Sequence, residues 1–265
     1  MELQVYKFGN EKHLPIVFIH GFPLEYKMWS HQFRYLQNEN HCISYDIRGL
    51  GESSAGDGQF TVELFVDDLF EILDKHEIPN PILCGLSMGG YIALRAMVRH
   101  QNRFRGLILC DTRSEADNND AKLKRAVAIQ KINKQGLENY IDEFIPNCFS
   151  SKTKSEKSGI IRETVEKAKK FDPIGVKGCL LAMAGRMDCT HFLGNIVVPT
   201  LLLCGEHDTL TTPDMMENIA HKIPNSEFTT VPNAGHLAPL ENPEYVNRSI
   251  ENFLRKNFYQ SQINQ

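Results

Sequence analysis

Excess basic charge is absent from this 265-residue sequence, which sets 29 Lys and Arg against 33 Asp and Glu for a net charge of −4. Without a basic face to displace counterions, a nucleic-acid partner is disfavoured. Long apolar runs are missing too. The longest, such as Ile16–Ile19, are strand-sized and cannot span a bilayer, so no membrane partner is expected. Met1–Asn10 holds no basic stretch followed by an apolar run, so no signal peptide is expected. The seven cysteines (Cys42, Cys84, Cys110, Cys148, Cys179, Cys189 and Cys204) are odd in number and lack any Cys-x-x-Cys pair. That fits neither a disulfide framework nor a zinc site and points to a reducing, cytoplasmic compartment. No His-Glu-x-x-His spacing occurs, so no metal is expected. Asp46-Ile47-Arg48-Gly49-Leu50-Gly51-Glu52-Ser53 lacks the lysine of a phosphate-binding loop and reads as a structural turn. No cofactor is expected.

What remains is a globular composition, 42% hydrophobic and 9% aromatic, enough for one α/β domain with an insertion or two small domains. Short apolar runs alternate with amphipathic ones, the pattern of a parallel sheet between helical layers. Strands are predicted over Pro15–Ile19, Cys42–Tyr45, Pro81–Leu86, Leu107–Cys110, Thr200–Cys204 and Glu227–Val231. Helices are predicted near Lys27–Gln37, Thr61–His76, Met88–Arg99, Pro213–Lys222 and Pro243–Asn257. Arg113–Asn195 breaks the rhythm with helices only, near Asn119–Gln135, Leu137–Phe144, Ser155–Lys170 and Pro173–Met187. This insertion carries 15 Lys and Arg against 11 Asp and Glu, whereas the rest carries 14 against 22. Most of those lysines read as a solvated face, although a basic lid over an acidic body also favours an anionic substrate. Ile129, Ile132, Phe144, Phe149 and Leu181 supply an apolar face that is free to line a pocket, pack on the body or meet a second copy. The polar tail Tyr259–Gln265 is expected to fray.

The strongest chemical signal is Gly85-Leu86-Ser87-Met88-Gly89-Gly90, lying between a strand and an amphipathic helix. A Gly-x-Ser-x-Gly in that context places a serine hydroxyl at the tip of a sharp turn, with glycines removing the Cβ atoms that would collide. A serine hydroxyl needs a base within hydrogen-bond reach and a third group to orient that base. His236, just after the strand ending at Val231, is the candidate base. Asp208, just after the strand Thr200–Cys204, is the candidate acid, favoured over Asp111, which also ends a strand. Glu206 and His207 read as loop residues. Backbone N–H groups of Phe22 and Met88 are candidate donors to a developing oxyanion, and His20 reads as a structural tie for the turn that holds Phe22.

With His20-Gly21-Phe22, Asp46-x-Arg48-Gly49-x-Gly51-x-Ser53, Gly85-x-Ser87-x-Gly89-Gly90, Gly205-x-x-Asp208 and Gly235-His236 assembled, the chain resembles the α/β-hydrolase superfamily. The resemblance implies an eight-stranded, mostly parallel sheet, a core of residues 1–112 and 196–265, and a helical cap over 113–195. A closer likeness, through His20-Gly21-Phe22-Pro23-Leu24 with Met28-Trp29 and through Ala182–Asp188, is to 3-oxoadipate enol-lactonases and small carboxylesterases. It implies Trp29 and cap residues in the substrate pocket, with Arg113 and Arg186 as candidates to pair with a substrate carboxylate. The function expected is hydrolysis of a small carboxylic ester or lactone through an acyl-enzyme. Carbon–carbon or thioester cleavage by the same residues stays open, as does a non-catalytic ligand receptor. Oligomeric state is not legible.

Overall fold

Six of the seven strands form where short β-branched runs predict them, because a run apolar on both faces is stable only between two layers. The structure, a computed structural model, describes residues 3–259. The predicted frayed tail lies, beyond Tyr259, outside the described residues. The strands are β1 (Val5–Phe8), β2 (Leu14–Ile19), β3 (Asn40–Tyr45), β4 (Ile82–Leu86), β5 (Gly106–Cys110), β6 (Thr200–Gly205) and β7 (Ser226–Val231). They form one sheet in the order β1-β3-β2-β4-β5-β6-β7. Only β1, paired with β3 from Val5–Tyr45 to Phe8–Cys42, runs antiparallel. Cys42, Cys84, Cys110 and Cys204 are fully buried within these strands.

Seven strands among the described residues correct the expected eight. The segment before β2 has room for one strand and a turn, in which His13 N donates to Asn10 O and Lys12 N to Asn10 Oδ1. β1 itself escaped the sequence reading because its half-buried Val-Tyr-Lys-Phe is too short for a readable alternation.

The body helices are α1 (Ser30–Leu36), α2 (Val62–Lys75), α3 (Met88–His100), α9 (Pro213–Ala220), α10 (Ala238–Glu241) and α11 (Pro243–Leu254). α1 packs on α11 and α2 on α3. Between β5 and β6 lie α4 (Asn119–Gln135), α5 (Leu137–Asn147), α6 (Ser151–Glu156), α7 (Ser158–Ala168) and α8 (Pro173–Ala184). Their starts follow from caps: Asn118 accepts from Ala121 N, Ser150 from Thr153 N and Asp172 from Ile174 N, each contributing about 1 kcal/mol. The single helix predicted over Ser155–Lys170 is in fact two. The break falls at Lys157 (φ −130°, ψ 38°), whose ammonium is drawn to the carbonyl of Glu241 at 2.9 Å.

Chain order reverses beside β2: β3 lies on one side of it and β4 on the other. In open parallel sheets the crevice at such a switch, at the carboxyl ends of the strands, is where ligands bind. The loops leaving β2 and β4 carry Phe22 and Ser87 to this edge.

Candidate active site

Ser87 follows β4 directly and caps α3 with φ 52° and ψ −110°, a left-handed region that non-glycine residues rarely occupy. The strain is held by its surroundings. Ser87 N donates to Cys110 O at 3.0 Å, and Ser87 O accepts from Tyr91 N at 3.1 Å and Thr112 Oγ1 at 2.8 Å. A Cβ at Gly85 would collide with the Gly89 carbonyl, and one at Gly89 with the carbonyl of Ile19, so the turn closes only with glycine at both places.

Two loops from β6 and β7 converge on it. His236 Nε2 lies 2.9 Å from Ser87 Oγ, and His236 Nδ1 lies 2.8 Å from Asp208 Oδ2. Asp208 Oδ1 accepts from Leu210 N at 2.8 Å and Thr211 N at 3.1 Å, while Oδ2 also accepts from the Thr211 hydroxyl. Burial pushes the Asp208 carboxyl upward, but the charge and hydrogen bond of His236 together with the Thr211 donors outweigh it and hold the pKa below the usual carboxylate value. An ionised acid on Nδ1 leaves Nε2 free to take a proton from the serine, the arrangement that makes a hydroxyl nucleophilic.

Asp111, the alternative acid, makes no hydrogen bond to His236. Its Oδ1 accepts from Gly205 N at 2.7 Å and its Oδ2 is buried without a partner. Burial, with the Asp208 charge nearby, raises its pKa well above the usual value despite the Gly205 donor. Asp111, Cys204 and Asp208 bring ligand atoms within 4.8 Å of one another. Both Asp208 oxygens are already engaged and the Cys204 thiol faces the carbonyls of Gly205 and Thr211, so the residues do not fit a metal.

Phe22 lines the same cavity as Ser87 and His236. Gly21 brings its loop against the serine turn, where a Cβ would meet the Leu86 side chain. No backbone carbonyl among the described residues accepts from Phe22 N or Met88 N. His20 is fully buried and ties this loop to the next: its Nε2 accepts from Ile47 N at 2.9 Å and its Nδ1 donates to Gly21 O at 2.9 Å. The Asp46 turn is structural, its carboxylate accepting from Tyr26 N at 2.9 Å and Glu52 N at 3.0 Å.

The cavity, about 520 Å³, has one wall from the body and another from α4, α5 and α8, including Lys124, Arg125, Tyr140, Phe144 and Met183. Arg113 lines it, with Nη2 on the Leu210 carbonyl and Nε buried without a partner. Two pocket expectations are corrected. Trp29 is fully buried against Phe18, with ring centroids 5.3 Å apart, because the turn Tyr26–Trp29 points its large apolar ring into the body. Arg186 stands behind the wall rather than in it. It pairs with Asp117, donates Nε to Glu115 O at 3.0 Å and lies 4.2 Å from the Tyr91 ring centroid, partners that hold the guanidinium behind the wall while its Nη2 stays buried without a hydrogen bond. A second cavity of about 410 Å³, between α7 and the segment Pro23–Arg34, contains none of the three convergent residues.

Sequence reasoning missed Glu241. Its carboxylate is only 3% exposed and accepts from Gly235 N at 2.8 Å, Ser150 N at 2.9 Å and Thr153 Oγ1 at 2.6 Å. His236 N donates to Cys148 O at 2.8 Å beside it. The loop that presents His236 is thus riveted to the helical insertion. The one signal was an acidic residue directly after the apolar run Leu237-Ala238-Pro239-Leu240.

A profile of the alpha/beta hydrolase family matches residues 16–249, and the chain belongs to that family. It is 25% identical over 249 residues to 3-oxoadipate enol-lactonase 2 of Acinetobacter baylyi, covering 94% of this chain and 91% of that protein. It is 36% identical to a thermophilic esterase from Thermogutta terrifontis, solved with malate bound, with a TM-score of 0.92 over 96% of this chain and 93% of that one. The enol-lactonase of Burkholderia xenovorans shares the fold, with a TM-score of 0.88 at 24% identity, covering 95% of this chain and 96% of that one. These relatives are ester and lactone hydrolases.

Proposed function

We propose that the protein is a serine hydrolase of small carboxylic esters or lactones, acting through an acyl-enzyme. The observation that carries this is the Ser87–His236–Asp208 relay, 2.9 and 2.8 Å between heavy atoms, with Ser87 and His236 lining one cavity. Ser87 Oγ bonds to the carbonyl carbon as His236 Nε2 takes its proton, and the Phe22 and Met88 N–H groups receive the oxyanion. Collapse breaks the acyl C–O bond, the leaving alkoxide takes the proton from His236, and a water activated by the same nitrogen releases the acid. The names of the enol-lactonase and esterase relatives support the ester or lactone bond. Residues 113–195 act as the cap over a core of 1–112 and 196–265, since α4, α5 and α8 supply one cavity wall.

Arg113 and Lys124 lining that cavity, with Asp117 already paired to Arg125 and Arg186, favour a substrate bearing a carboxylate. The bound malate of the esterase relative is consistent with that choice. Seven unpaired, buried thiols support a reducing cytoplasmic compartment. The test is a panel of p-nitrophenyl esters and simple lactones with Ser87→Ala in parallel. Turnover should fall by about 10⁵- to 10⁶-fold in the variant. A fluorophosphonate probe that labels the wild type while every ester and lactone stays inert would move the reaction to another bond, and no labelling would overturn the serine mechanism.

A further inference from the structure

The last turn of α5 touches both halves of the site. Tyr140 and Phe144 share one face of the helix and stack, with ring centroids 5.4 Å apart. Phe144 then meets the Phe22 ring in an edge-on contact, with centroids 5.8 Å apart and planes at 64°. One turn further on the helix ends at Cys148, and the last carbonyls of a helix have no partner within it. The Cys148 carbonyl is satisfied from outside, by the N–H of His236 at 2.8 Å. A single turn of the helical insertion therefore holds the loop of the candidate oxyanion donor through a ring and the loop of the candidate base through a carbonyl.

Those two loops leave strands that do not touch. β4, β5 and β6 lie between β2 and β7, so no ladder of the sheet sets the spacing of Phe22 from His236 directly. The Phe22 N–H shares a planar peptide with the Gly21 carbonyl, which accepts from His20 Nδ1 at 2.9 Å and Leu24 N at 3.0 Å. That fixes one end of the peptide. Its other end is the Phe22 Cα, whose side chain is buried and rests on Phe144. We propose that Phe144 is a positioning residue for the oxyanion donor: through the Phe22 ring it steadies the N–H, and through the turn it shares with Cys148 it sets that N–H against His236. The proposal rests on the serine-hydrolase reading and adds that the helical insertion takes part in turnover besides walling the cavity. Aromatic pairs prefer defined edge-on or offset geometries, which an aliphatic side chain of similar bulk does not reproduce.

Phe144 also lines the cavity, and substrate length separates the two roles. The test compares p-nitrophenyl acetate, butyrate and hexanoate on the full chain. In Phe144→Ala, kcat should fall by about 10- to 100-fold and by the same factor on each ester, as a donor displaced by the order of 1 Å requires. KM should stay within about threefold, the mark of an interaction made in the transition state. The inhibition constant of a small trifluoromethyl ketone, whose serine adduct places an oxyanion in the same hole, should rise in proportion to the loss of kcat. Phe144→Tyr keeps the ring and should recover most of that loss. Far-UV circular dichroism checks folding, and if Phe144→Ala does not fold, Phe144→Leu, which keeps apolar bulk without the ring, is read by the same criteria. A loss that sits in KM and grows with acyl length, an inhibitor affinity that does not follow kcat, or no loss at all would overturn the proposal. A wild type that neither turns over these esters nor takes a fluorophosphonate label would overturn the serine reading, and this proposal with it.

Discussion

Glu241→Gln tests whether the buried carboxylate behind His236 holds the site together. In the native structure Oε1 accepts from Gly235 N, and Oε2 accepts from both Ser150 N and the Thr153 hydroxyl. Glutamine is nearly the same shape but offers one oxygen and one NH₂. If its oxygen stays on Gly235, the NH₂ faces the Ser150 N–H; if the amide flips, the NH₂ faces Gly235. The Thr153 hydroxyl can rotate to accept, but a backbone N–H cannot. Either way one buried donor is stranded, at about 1–3 kcal/mol, and the charge-assisted character of the remaining bonds is lost. A total of about 2–4 kcal/mol follows, a large part of a typical 5–15 kcal/mol stability. Thermal unfolding should show Tm lower by roughly 5–15 °C. Because Gly235 precedes His236, kcat on an activated ester should also fall by about 10- to 100-fold, as a displacement of the order of 1 Å does. A variant with wild-type Tm and kcat would refute the reasoning.

Asp111→Asn should stabilise the protein relative to wild type by an amount that grows with pH. The native carboxyl keeps its proton above the unfolded value near 3.9 because burial and Asp208 raise its pKa, so the unfolded chain releases a proton in a window where the native state does not, and wild-type stability falls as pH rises through it. Urea unfolding at several pH values from about 4 to 7 reads this, and a difference independent of pH would show that the carboxyl is ionised in the fold. Arg113→Gln should raise KM for carboxylate-bearing esters by about 10- to 100-fold and leave neutral esters nearly unchanged. An equal effect on both would place Arg113 in the support of the Leu210 loop instead.

Ser87, Asp208 and His236 were legible because each sits where a local pattern ends. A strand gives way to a glycine-flanked turn or a short loop, and the topology of a parallel sheet carries all such ends to one edge. The same logic made six strands readable, while β1 was not, since four half-buried residues on a sheet edge leave no pattern to count. The choice between Asp208 and Asp111 was open in the sequence because both end strands. What separates them is the Asx-like turn in which Leu210 N and Thr211 N hold one Asp208 oxygen so that the other can reach His236.

The misplaced pocket residues share one cause. Trp29 and Arg186 were assigned by likeness to pockets in related chains, yet whether a large side chain lines a cavity or stands behind its wall depends on partners far away in sequence. Trp29 turns inward because Phe18 offers a buried ring, and Arg186 because Asp117 offers its guanidinium a carboxylate and Tyr91 a ring face. Glu241 was invisible for the same reason: its meaning lies in Ser150 and Thr153, some ninety residues earlier. A strand end announces a candidate catalytic position locally, whereas the shell that fixes its geometry is written in pairs that only the folded chain brings together. Substitutions in that shell, such as Glu241→Gln, should therefore change turnover without touching any residue of the motif.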